Sequence, residues 1–215
     1  MIANDSQLQE FLGIFHKGST LTYKKGEYII RPGESPNGVF YIQEGLVKAF
    51  NISKYGEENL LIIRTEHEVF PLIWAVTGQD RDIIYQALAP TTVYRIGRKQ
   101  FETFLHDNPS SLPPMLDLIT EQYRRHSERL LTLEYRTVRE RLISFLISMA
   151  DRFGKHTKNG LYIDVPLRHQ DIASSINASR ETTSRELAYL ERKGYVSNSA
   201  FYITLKDIQS LRDYL

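Results

Sequence analysis

The chain has 215 residues, 25% charged and 41% apolar, with 27 Lys/Arg against 26 Asp/Glu and a formal net charge of +1. This length suits one large domain or two small ones with real cores, and the composition is that of an ordinary globular protein. The chain has no cysteine, which excludes disulfides, thiolate zinc sites and Cys-ligated iron–sulfur clusters.

No apolar run approaches about 18 residues, so no membrane span is expected. The opening M-I-A-N-D-S-Q lacks the basic region and apolar core of a secretory signal, and a cytoplasmic location is expected. The small net charge hides an asymmetry. Residues 1–108 carry 11 Lys/Arg and 13 Asp/Glu, residues 109–137 carry four of each, and residues 138–215 carry 12 against 9. The C-terminal third is mildly basic, which suits a nucleic-acid partner without establishing one.

Residues 19–100 read as short strands. Thr20–Tyr23, Tyr28–Ile30, Val39–Ile42, Leu46–Ile52, Asn59–Arg64 and Thr92–Ile96 are rich in β-branched, aromatic and alternating residues. Turn signals separate them at Lys25-Gly26, Pro32-Gly33, Pro36-Asn37-Gly38, Glu44-Gly45 and Tyr55-Gly56. Many short strands punctuated by glycine predict an antiparallel barrel or jelly roll over 1–108.

Lys99–His106 reads as a short helix, broken at Asn108-Pro109. A long helix to about Arg136 follows, with Pro113-Pro114 in its first turn, where proline is tolerated. Along it Leu112, Leu116, Ile119, Tyr123, His126, Leu130, Leu133 and Thr137 alternate steps of four and three. This heptad seam is flanked by Glu121, Arg124, Arg125, Glu128 and Arg129, and predicts a parallel homodimer interface over 109–137. A helix packed on its own domain is the simpler alternative. His126 on the seam either packs and bonds a partner or senses pH or a ligand.

Residues 138–215 begin with an amphipathic helix over Val138–Phe153, a polar turn over Gly154–Gly160 and a strand over Leu161–Val165. Arg168–Ile176 predicts a short helix, Asn177-Ala178-Ser179 a tight turn, and Arg180–Lys193 a second helix capped by Ser179 and ended by Gly194. Tyr195–Ser197 and Phe201–Leu205 predict a two-stranded wing. Ala173 is small where the helices must cross, Ile172, Ile176, Leu187 and Leu190 supply the core, and Asn177 tolerates a left-handed turn.

This is a winged helix-turn-helix pattern, and such a second helix reads base edges from its first turns. Arg180, Glu181, Ser184 and Arg185 are the candidate base-reading residues. Arg can bond guanine O6 and N7 together, and Glu can accept from cytosine N4. Ser179, Thr182, Thr183 and His169 are the candidates for capping and phosphate bonding. A merely solvated polar face is the plain alternative.

The sequence resembles the cyclic-AMP receptor protein/fumarate–nitrate regulator family of bacterial transcription factors from about Leu21 to Leu205. The resemblance rests on K-K-G-E-Y-I-I-R-P-G-E-S, V-F-Y-I-Q-E-G-L-V-K and the helix-turn-helix residues above. It implies an α+β chain with an N-terminal cyclic-nucleotide-binding-like jelly-roll barrel, a long dimerisation helix and a C-terminal winged helix-turn-helix. It also implies a homodimer on palindromic double-stranded DNA, with RNA polymerase as a partner if the protein activates. Arg180, Glu181 and Arg185 match the base-contacting positions of the cyclic-AMP receptor protein, and Glu181, Ser184 and Arg185 those of the fumarate–nitrate branch. The implied half-sites, TGTGA or TTGAT, stay an open choice.

The barrel departs from the family's nucleotide pattern. Pro71 and Leu72 stand where a glycine and glutamate are expected, and Asp82 replaces the serine beside the phosphate arginine match, Arg81. Gln122 and His126 occupy nucleotide-contacting positions of the long helix, and Ser127 is kept. These changes argue against a cyclic nucleotide, and missing cysteines argue against iron–sulfur or thiolate-haem sensing, so no cofactor is expected. A non-nucleotide small molecule in a candidate effector pocket of Leu72, Ile73, Trp74, Arg81, Gln122, His126 and Ser127 remains, as does constitutive activity. Two rival readings are a cupin-like metal enzyme around Glu66-His67-Glu68 and a ligand-binding module acting on a protein partner. A strand at Glu66-His67-Glu68 would point His67 away from both glutamates, and no catalytic set is visible, so no enzyme activity is expected.

Overall fold

A computed structural model describes residues 1–215, in two compact units. The first comprises Met1–Asn51 and Leu61–His126; the second comprises Ile52–Leu60 and Ser127–Leu215.

The first unit opens with α1 (Asp5–Gly13), which the strand-oriented sequence reading misses. Asn4 caps it, accepting from the Gln7 amide while the Gln7 side chain accepts from the Asn4 amide. This reciprocal cap satisfies two amides that otherwise lack helical partners. Strands β1 (Ser19–Tyr23), β2 (Tyr28–Ile30), β3 (Val39–Glu44), β4 (Val47–Ile52), β5 (Glu58–Arg64) and β8 (Thr91–Ile96) fall where alternation predicts them. The sequence reading misses β6 (Val69–Phe70), α2 (Leu72–Thr77) and β7 (Ile84–Ala87).

Two four-stranded sheets result, ordered β1-β8-β3-β6 and β2-β7-β4-β5. Phe40, Ile42, Val47, Phe70, Tyr85 and Val93 form one core. Phe11, Phe15, Tyr41, Leu72 and Phe101 belong to a second, which binds α1, α2 and α3 (Arg98–Asp107) to the sheet. Each buried phenyl contributes roughly 1.5–3 kcal/mol, so the aromatic cluster anchors this unit.

Helix α4 (Leu112–Tyr135) carries Pro113 and Pro114 in its first turn, as predicted. The seam residues Leu112, Leu116, Ile119, Tyr123, His126 and Leu130 are exposed, with Tyr123 at 73% and Leu130 at 64%, and Leu133 is half-buried. Leu131 and Tyr135 add to the exposed apolar surface. Thr137 does not extend the seam. It caps α5 (Val138–Phe153), bonding Glu140 reciprocally, and the chain leaves the helical path there.

In the second unit α5 buries Leu142, Leu146 and Met149 on the predicted face. Helices α6 (His169–Ser175) and α7 (Arg180–Arg192) pack with Ala173, Ile172, Ile176, Leu187 and Leu190 buried. Gly194 follows with φ +80°, the left-handed ending expected after such a helix. The expected two-stranded wing is larger than predicted. Strands β9 (Gly154–Thr157), β10 (Gly160–Ile163), β11 (Val196–Ser199) and β12 (Tyr202–Leu205) form one sheet ordered β11-β12-β10-β9.

The stretch read as a polar turn is the β9–β10 hairpin. Polar β9 has no alternating apolar face to betray it. Gly160, at φ +121°, is required there because a Cβ would collide with the Leu205 carbonyl oxygen. Helix α8 (Ile208–Asp213), capped by Asp207, closes the chain and buries Leu211.

Candidate nucleic-acid interface

The reading helix is aimed by its turn. Asn177 takes φ +49°, the left-handed conformation that asparagine tolerates. Ser179 is extended, and its Oγ accepts from the Thr182 amide at 3.1 Å. Arg180, Glu181 and Arg185 are exposed on the first turns of α7. The Glu181 carboxyl is held below its ordinary range by its own backbone amide and the Ser179 side chain, so it stays an acceptor at neutral pH. Thr182 Oγ1 accepts from Ser179 Oγ and from Arg185 Nη2, both at 3.1 Å. Its own proton is left to donate, as bonding to a phosphate oxygen requires.

Two of the expected roles change. Thr183 is wholly buried at 0% exposure and its Oγ1 has no hydrogen-bond partner. It points into the helix packing and is not placed to meet a phosphate. His169 is half-buried, with Nδ1 2.8 Å from Ser184 Oγ and Nε2 3.1 Å from Asn198 Nδ2. Both ring nitrogens are committed inside the unit, so a phosphate would have to displace one of these partners.

The sequence reading also misses the residues that fix this head. Arg168, at the start of α6, bonds both Asp171 oxygens at 2.9 Å and Glu58 Oε2 at 2.7 Å. Ser174 Oγ accepts from the Leu60 amide at 3.1 Å. Arg139 bonds Glu186 at 2.6 Å and lies 3.7 Å over the Tyr189 ring. Glu186 therefore anchors α7 to α5. Alternation and spacing do not reveal the pairs Arg168–Glu58, Leu60–Ser174 and Arg139–Glu186, because each joins elements far apart in sequence.

In the first unit the candidate effector residues have differing surroundings, and Arg81 and Arg64, which bonds Gln122, both act on the Tyr85 hydroxyl. Leu72 is buried in the core with Phe101, Ile73 is exposed, and Trp74 packs against that core with the Arg98 guanidinium over its ring. Arg81 is exposed and forms no ion pair with Asp80 or Asp82; Asp80 accepts from Ser35 instead. His126 is exposed; Ser127, which opens the last stretch of the second unit, is half-buried.

Gln122 is drawn into a polar cluster that sequence reading misses. Arg64, only 5% exposed, donates to Gln122 at 3.1 Å and to Glu68 at 3.1 Å, while its Nε lacks a partner. Glu68 also accepts from Arg125 at 3.2 Å, and Arg125 bonds Glu121 at 2.7 Å. The segment read as a metal site is a turn, not a strand. His67 takes φ +67° and its Nδ1 lies 2.7 Å from the Tyr41 hydroxyl. Glu66, His67 and Glu68 do not gather into a metal-holding group.

Comparison with known proteins agrees with this architecture. Residues 20–108 match the cyclic nucleotide-binding domain family and residues 140–214 the Crp-like helix-turn-helix domain family. The global nitrogen regulator of Nostoc sp. is 31% identical over 178 residues, spanning 82% of this chain and 80% of its own. The transcriptional activator protein anr of Pseudomonas aeruginosa is 25% identical over 177 residues, 81% of this chain and 71% of its own. The structure of FixK2 from Bradyrhizobium japonicum superposes with a TM-score of 0.78 at 22% identity, covering 91% of this chain and 96% of that one. A nucleotide-binding-type barrel, a long helix and a Crp-like helix-turn-helix define a DNA-binding transcription regulator. The chain belongs to the Crp/Fnr family. Its relatives are regulators and not enzymes, and no helix is long and apolar enough to cross a membrane.

Proposed function

We propose that the protein acts as a homodimer on a palindromic operator with TGTGA- or TTGAT-like half-sites. Arg180, Glu181 and Arg185 read bases from α7, with Ser184 as a fourth contact. The observation that carries this reading is the start of α7, where those three charged side chains are exposed on the first two turns after the Ser179 cap. Thr182 and the helix amides supply phosphate bonds. The exposed apolar stripe of α4 supports the dimer, since burying such residues against a second copy removes them from water. An activator of this design would also touch RNA polymerase.

The trigger in this reading is not a cyclic nucleotide. Pro71 precedes α2 as its N-cap, and Leu72 starts α2 and packs into the core, so no carboxylate stands there for a ribose. Arg81 is flanked in sequence by Asp80 and Asp82, which repel a phosphate. A different small molecule, or constitutive DNA binding, fits these residues.

A gel-shift titration on the two palindromes tests the reading. At about 150 mM salt the correct palindrome should bind at least about 10³-fold more tightly than random DNA. Equal binding to both would contradict it.

A further inference from the structure

His169, Ser184 and Asn198 join three elements at one imidazole. His169 is the first residue of α6, Ser184 lies in the second turn of α7, and Asn198 lies on β11 in the wing. Asn198 is itself fixed, because its backbone amide donates to Glu191 Oε1 at 3.1 Å near the other end of α7. Its Nδ2 can only donate. Facing that group at 3.1 Å, His169 Nε2 must accept, and the ring proton therefore sits on Nδ1. Nδ1–H then donates to Ser184 Oγ at 2.8 Å. Ser184 forms no other hydrogen bond, so its own hydroxyl proton stays free.

We propose that His169 is a positioning residue for base selection. It turns the Ser184 hydroxyl into a donor, so Ser184 selects an acceptor on the major-groove edge: purine N7, guanine O6 or thymine O4. The same ring ties the wing to the reading helix. This inference rests on the DNA-reading function above, and it removes His169 from the phosphate contacts.

The test uses the full-length protein and selection from DNA randomised at each half-site position. His169→Ala should flatten the preference at the position that Ser184 reads by roughly fivefold, the scale of one lost hydrogen bond. Affinity for random DNA and the salt dependence should stay unchanged. Ser184→Ala should flatten the same position, and the double variant should lose nothing more, because both changes remove one interaction. His169→Asn, whose amide can place a donor near the Nδ1 position, should restore most of the preference.

An unchanged profile in His169→Ala, from a wild type that does select a half-site, overturns this proposal alone. So does an equal loss on specific and random DNA with a shallower salt slope, the signature of a phosphate contact. A wild type that selects no half-site overturns the DNA-reading function and this proposal together. Nitrogen NMR of the free protein gives a check independent of DNA: the His169 proton should lie on Nδ1, and a proton on Nε2 alone would contradict the arrangement.

Discussion

At the residue scale, the reading surface separates side chains that project from side chains that hold. Arg180 and Arg185 project, and replacing either with Ala should cost about 1–3 kcal/mol on the correct site and relax base preference there. Equal losses on random DNA would show phosphate contact only. Thr183 holds. Its hydroxyl is buried without a partner, so Thr183→Val, of similar shape, should leave DNA affinity and its salt slope unchanged and the thermal midpoint equal or higher. A loss of DNA affinity would show that the hydroxyl reaches the nucleic acid after all.

Arg124, with Arg125, holds the Glu121 carboxyl down to about 2. The folded value lies below the ordinary 4.5, so the pair contributes above about pH 4.5 and its contribution is lost as pH falls toward 2. The side chain is 41% exposed, so solvent screens the gain. Carboxyl NMR should place the Glu121 midpoint near 2; a midpoint near 4.5 would show that the pair does not persist in solution.

At the element scale, helices with caps and strong periods were legible in the sequence. Helix α5 lies where its apolar face predicts, and α6 and α7 lie within a residue or two of expectation. Ser179 as cap and Asn177 as left-handed turn followed from residue type alone. Elements without such marks were hidden: β6 has two residues, α2 has six, and β9 reads G-K-H-T. Thr137 shows the limit of periodicity, since it keeps the heptad spacing but serves as the cap of the next helix. Thr137→Ala should cost about 1 kcal/mol of stability, read by chemical denaturation, with no change in base preference. The α4 stripe gives a sharper prediction. Leu116→Glu or Leu130→Glu should shift sedimentation from dimer toward monomer. An unchanged dimer would place the interface elsewhere.

At the scale of the whole molecule, the two ends of the chain differ in how openly the sequence shows their role. The residues proposed to read bases lie within six positions on one helix, so helical geometry alone brings Arg180, Glu181 and Arg185 to one end of it. The barrel's polar cluster is assembled from Arg64, Glu68, Gln122 and Arg125, which only the fold brings together. Leu72, Ile73 and Trp74 are neighbours in sequence but do not share one environment. On α2, successive side chains turn to different sides, one into the core and one to water.

In the proposed function α7 reads a two-fold symmetric site. Footprinting of the sites that the protein occupies across a genome tests it most directly. Protected sites should share a palindrome with TGTGA- or TTGAT-like halves centred about one helical turn apart, and Arg180→Ala should lose that motif. Footprints without symmetry or a common half-site, or an unaltered motif in Arg180→Ala, would contradict it.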